Sequence, residues 1–88
     1  MEKEKINPKI KMQIDECINF FKENYDNLIE IKYDCDINYC QIIFDGLIYS
    51  EQLIFLQKTS LDWFICTTKR STISVMITLD SEKNYNAM

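Results

Sequence analysis

Between Ile10 and Leu28 the apolar residues recur at steps of three and four, and from Leu28 onward they recur at steps of two. That change of period constrains the fold more than any motif in the chain, because a step of 3.6 builds a helix face and a step of two builds a strand face. Ile10, Ile14, Cys17, Ile18, Phe21, Tyr25 and Leu28 fall on one stripe, while Asp15, Asn19, Glu23 and Asp26 fall opposite. Asn7-Pro8 supplies a start signal, since asparagine caps free amides and proline at the first helical position needs no donor. The spacing predicts a helix from about Pro8 to Asn27.

After Leu28, Ile29, Ile31, Tyr33 and Cys35 point one way and Glu30, Lys32 and Asp34 the other, as in a half-exposed strand. A turn around Asp36, Ile37 and Asn38 leads into Tyr39 to Phe44, a denser apolar run that reads as a more central strand. Asp45-Gly46 predicts a two-residue hairpin of the I′ type, with Leu47 to Ser50 returning along Phe44 to Gln41. Residues 50–58 admit two readings, a strand continuing through Leu53 to Leu56 or a short helix capped by Ser50-Glu51-Gln52, and the strand is preferred. Leu61, Trp63 and Ile65, then Ile73, Val75, Ile77 and Leu79, occupy odd positions on either side of Lys69-Arg70-Ser71. Both sets share a face only if paired residue numbers sum to an even value, for example Ile65 opposite Val75 and Trp63 opposite Ile77. The expected fold is therefore α+β, with one N-terminal helix packed on an antiparallel meander of about five strands. The alternative is four strands with a short second helix near residues 50–58. Residues 1–88 form a single domain on this reading, with 1–6 and 81–88 as frayed tails.

Fourteen isoleucines, five phenylalanines, five tyrosines and Trp63 supply a core without disulfides or metal. The absence of histidine removes His-dependent triads, His-ligated metal sites and imidazole switches. The single glycine, Gly46, excludes phosphate loops, which need several. Residues 1–11 lack the apolar stretch of a secretory signal, and the longest apolar runs are four residues. A soluble, cytoplasmic protein with no membrane partner is expected. Isoleucine-, lysine- and asparagine-rich usage with Ala87 as the only alanine points to AT-rich coding, as in phages and low-GC bacteria.

Cys17, Cys35, Cys40 and Cys66 are spaced too irregularly for a zinc ribbon, so no metal and no cofactor are expected. Free thiols in a reducing compartment fit them better. Cys35 and Cys40 would face each other only if the first hairpin closes over a four-residue loop, which keeps a redox pair as an alternative. Cys66 has no histidine to activate it, so a thiol enzyme stands last among the readings and no catalytic residue is assigned. Asp34 with Asp36, and Asp15 with Glu16, lack the calcium-loop pattern and read as solvated faces. Lys69 and Arg70 are too few for a nucleic-acid footprint.

Charge is distributed unevenly. Nine of the fourteen acidic residues lie between Asp15 and Glu51 against only Lys22 and Lys32, a local charge of −7 in a chain of net −4. Such a field favours basic partners and repels nucleic acid. The expected folding pattern splits this block between the outer side of the helix and the sheet face away from it. On that open face Phe64, Cys66 and Met76 interrupt a polar alternation. Glu30, Asp34, Asp62, Phe64 and Met76 are accordingly the candidate partner-binding residues. The leading expectation is a small acidic interaction module, of the kind a phage or mobile element encodes to block the basic surface of a nucleic-acid-handling protein. The alternative is a homo-oligomeric structural or regulatory module, a homodimer through the open sheet face.

Overall fold

The computed structural model describes residues 6–34, 36–67 and 71–79. The element order is α1 (Pro8–Asn24), β1 (Leu28–Asp34), β2 (Tyr39–Asp45), α2 (Ser50–Lys58), β3 (Trp63–Thr67) and β4 (Thr72–Thr78). The four strands form one antiparallel sheet in the order β1-β2-β4-β3. The architecture is α+β, and the four-strand alternative with a helix over residues 50–58 replaces the five-strand meander. Among the described residues no helix is long and apolar enough to cross a membrane.

α1 starts where expected, with the Asn7 side chain accepting from the Lys9 amide at 2.8 Å and Pro8 at the first turn. It ends three residues earlier than the periodicity indicates. Tyr25 is extended at φ −142°, its amide donating to Phe21 O, so Tyr25 and Leu28 leave the helical stripe. Ile10, Ile14, Cys17, Ile18 and Phe21 are buried against Cys40, Ile42 and Phe44 of β2 and Val75 and Ile77 of β4. Each fully buried side chain of this size contributes about 1.5–3 kcal/mol relative to exposure. Ile6, read from the sequence as part of a frayed tail, also packs on this core; residues 1–5 and 81–88 lie outside the described ones.

α2 forms because three different contacts require its helical spacing. Gln52 and Leu56, four residues apart, are both fully buried, while Phe55 between them turns to stack on Phe20 of α1 at 4.4 Å and 12°. Gln52 Oε1 also accepts from the Tyr49 amide at 2.9 Å, closing off an otherwise free donor at the helix start. A strand through Leu53 to Leu56 would divide these residues between two faces, and only one face is covered by helix. The predicted Asp45-Gly46 hairpin gives way for the same reason. Gly46 has φ +93°, but Asn38 is the only non-glycine with positive φ among the described residues, so Asp45 does not adopt a I′ conformation. The Asp45 amide donates instead to Asn27 O at 2.8 Å, and the chain departs toward α2. The edge of β2 meant for Leu47 to Ser50 is occupied by β4 through seven residue pairs.

The final hairpin has the expected even-sum parity, and its pairing is the one given as the example, Trp63 opposite Ile77 and Ile65 opposite Val75. In the first hairpin Cys40 faces Tyr33, and Cys35 lies outside the described residues. A register shift between Leu28 and Glu30 makes Ile29 a bulged residue, half exposed, so it does not join Ile31 on the helix side.

Candidate functional site

Neither helix covers the second face of the sheet. Antiparallel pairing places directly opposed residues on the same side, so this face is built of cross-sheet rows: Lys32, Gln41, Met76 and Phe64 in one, and Glu30, Ile43, Ser74 and Cys66 in the next. Asp34, Tyr39 and Thr78 make a third row, which Asp62 completes by accepting the Thr78 amide at 2.9 Å. Asp45 opposite Thr72 closes the other end.

Phe64 and Met76, expected on this face, are direct cross-strand partners. Mutual cover does not hide them, because Phe64 remains 47% exposed. Tyr39 joins them, its ring meeting Phe64 edge-on at 5.8 Å and 86°. In the adjoining row Ser74 is fully buried and accepts from Gln41 Nε2 at 3.0 Å, so its hydroxyl is satisfied. A shallow concavity of about 390 Å³ opens beside the cluster, between Lys32 and Asp34 on one side and Tyr39, Gln41 and Met76 on the other.

The acidic candidates share the face but do not close around Phe64. β1 and β3 are opposite edges, three strand spacings or about 14 Å apart. Glu30 and Asp34 therefore mark the two ends of one edge, and Asp62 the start of the other. Asp45 ends β2 on the Glu30 side of the sheet, and the corner at the end of β3 carries Cys66 and Thr67 instead of an acid. Asp45 and Tyr39 are the face residues that sequence reasoning missed. Their signal was the odd-numbered alternation of Tyr39, Gln41, Ile43 and Asp45, obscured by the apolar run Ile42-Ile43-Phe44.

The two buried thiols, Cys17 and Cys40, are held in their protonated form. Burial pushes the Cys17 thiol up to about 12, with Glu16 and Cys40 adding to it. Burial likewise pushes Cys40 up to about 12, with Asp15 adding and the neighbouring Tyr33 and Lys11 opposing. Both stay protonated at neutral pH and so lack the thiolate that reacts. Cys66 is exposed. Among the described residues no three His, Cys, Asp or Glu side chains gather into a metal-sized cluster. No family model, curated protein or solved structure matches the chain.

Proposed function

We propose that this chain is a small acidic protein-binding module that docks a partner on its open sheet face. The observation that carries the reading is the cluster of Tyr39, Phe64 and Met76, rimmed by Glu30, Asp34 and Asp45 on the β1–β2 side and by Asp62 at the start of β3. An apolar and aromatic centre with a charged rim is the usual anatomy of a protein interface. The partner suited to it presents an apolar side chain for the concavity, flanked by lysine or arginine. Strict imitation of a nucleic-acid strand fits less well. Duplex DNA carries a charge about every 1.7 Å of its axis, whereas Glu30 and Asp34, four residues apart on one strand, are separated by about 13 Å. Occlusion of a basic surface on a nucleic-acid-handling protein remains within this reading, through the rim rather than through phosphate mimicry.

The test is affinity capture from the native host with three baits, the unaltered chain, Phe64→Asp, and the pair Glu30→Gln with Asp45→Asn, each at low and high salt. The expected result is a partner lost on Phe64→Asp and retained more weakly, with a flatter salt response, on the charge-neutralised pair. Capture that is indifferent to both changes refutes the reading.

A further inference from the structure

The two edges of the sheet are built differently. β1 carries Glu30, Lys32 and Asp34 at alternate positions and a bulge at Ile29, devices that stop an edge from pairing with another strand. β3 reads Trp63-Phe64-Ile65-Cys66-Thr67, with no charge, proline or glycine; Trp63 is half-buried and the other four are exposed. Among the described residues no strand lies beyond it.

The direction of its backbone groups follows from one hydrogen bond. The Thr78 amide donates to Asp62 O at 2.9 Å in the same register that sets Trp63 opposite Ile77. Hydrogen bonding alternates along an antiparallel strand. Phe64 and Cys66 therefore turn their N–H and C=O groups toward β4, while Trp63, Ile65 and Thr67 turn theirs outward.

We propose that β3 pairs with β3 of a second copy, antiparallel about a two-fold axis at Ile65, joining two four-stranded sheets into one of eight. Outward groups occur only at odd positions, so the two residue numbers in a pair must again sum to an even value. The register centred on Ile65 is the one that uses the whole strand, and it makes about six main-chain hydrogen bonds. The strand is also its own complement. Trp63 falls opposite Thr67 and Phe64 opposite Cys66, a large side chain beside a small one each time, with isoleucine meeting isoleucine on the axis. No like charges meet, because the strand has none. This self-matching favours a second copy over an unrelated strand, and a C2 contact of this kind closes on itself. The inference does not rest on the open-face reading, since Ile65 lies on the helix side of the sheet, opposite Val75.

A contact of one short strand per copy is small, so the association belongs in the range of about 10 µM to 1 mM. Sedimentation equilibrium across that range, with residue-resolved amide exchange at both ends of it, tests the proposal. The unaltered chain should shift from monomer toward dimer, with the amides of Trp63, Ile65 and Thr67 exchanging about two- to sevenfold more slowly at the high concentration and those of Phe64 and Cys66 unchanged. Ile65→Lys should remain monomeric throughout, and Met76→Asp should dimerise like the unaltered chain. If Ile65→Lys fails to fold, the exchange pattern of the unaltered chain decides. A monomer at about 1 mM overturns the proposal, as does a dimer that survives a folded Ile65→Lys. A dimer abolished by Met76→Asp, or concentration-dependent protection along β1 in place of β3, overturns it equally.

Discussion

Replacing Gln52 by leucine should destabilise the domain by about 2–3 kcal/mol, although it puts an apolar side chain into an apolar core. Gln52 is fully buried, and both the oxygen and the nitrogen of its side-chain amide are hydrogen-bonded. Its Oε1 accepts from Asn27 Nδ2 and from the Tyr49 amide, both at 2.9 Å, and its Nε2 donates to Asn27 Oδ1 at 3.0 Å. Asn27 is 6% exposed and donates also to Leu47 O at 3.0 Å. Leucine leaves the Tyr49 amide and Asn27 Oδ1 without these partners, at about 1–3 kcal/mol for each buried group, and returns roughly 1 kcal/mol through its own burial. For a domain of this length, with a total stability of about 4–13 kcal/mol, that loss is large. In urea denaturation, with an m-value of about 1–1.5 kcal/mol/M, the midpoint should fall by about 2 M. Asn27→Ala should cost a similar amount by orphaning Gln52 Nε2 and Leu47 O. Because either change breaks the same reciprocal pair, the double variant should be more stable than additivity allows, by about 1–2 kcal/mol. A Gln52→Leu midpoint within about 0.5 M of the unaltered chain refutes the claim that this amide pair holds the start of α2 against the sheet.

Other expectations are independent of that pair. A thiol reagent should label Cys66 in the folded protein and reach Cys17 and Cys40 only on unfolding, as peptide mapping will show. Both buried thiols have a folded pKa raised from 9.0 to about 12, so the unfolded chain loses these protons first. The resulting stabilisation is complete below pH 9 and declines as pH rises toward 12, by up to about 1.4 kcal/mol per pH unit for each thiol. Urea midpoints measured at pH 8 to 11 should therefore decline less steeply in Cys17→Ala than in the unaltered chain, and equal slopes refute the assignment. Gly46→Ala should cost about 1–2 kcal/mol through the φ of +93° alone, since the nearest atom to an added Cβ, Ser71 O, is 4.0 Å away. A Gly46→Ala midpoint equal to that of the unaltered chain would show that the loop relaxes to negative φ.

Some of the fold is legible in the sequence because the deciding forces are local. Asn7-Pro8 carries its cap and its φ within two residues. The odd-numbered apolar ladder from Leu61 to Leu79 fixes the parity of the final hairpin without reference to any other element. Residues 50–58 are different in kind. Leu53-Ile54-Phe55-Leu56 suits a strand or a helix equally, and what selects the helix is distant in sequence: Phe20 under Phe55, Asn27 against Gln52, and β4 already seated on β2.

The same division explains why the candidate face is legible only in part. Alternation reports which residues of a strand share a face, but not which strand lies beside which. A sequential meander would put residues 47–56 between the strands of Tyr39 and Phe64, whereas in the order β1-β2-β4-β3 the strand between them is β4, which carries Met76, and the two rings meet at 5.8 Å. Inserting β4 next to β2 also displaces β3 to the rim, and with it the uncharged run Trp63 to Thr67. One non-local event thus produces both surfaces proposed for function. The aromatic cluster and the unprotected edge are consequences of where β4 sits, and they lie on β3 with different residues, Phe64 facing the open side and Ile65 the helix side. That separation lets substitutions one residue apart tell partner binding from self-association.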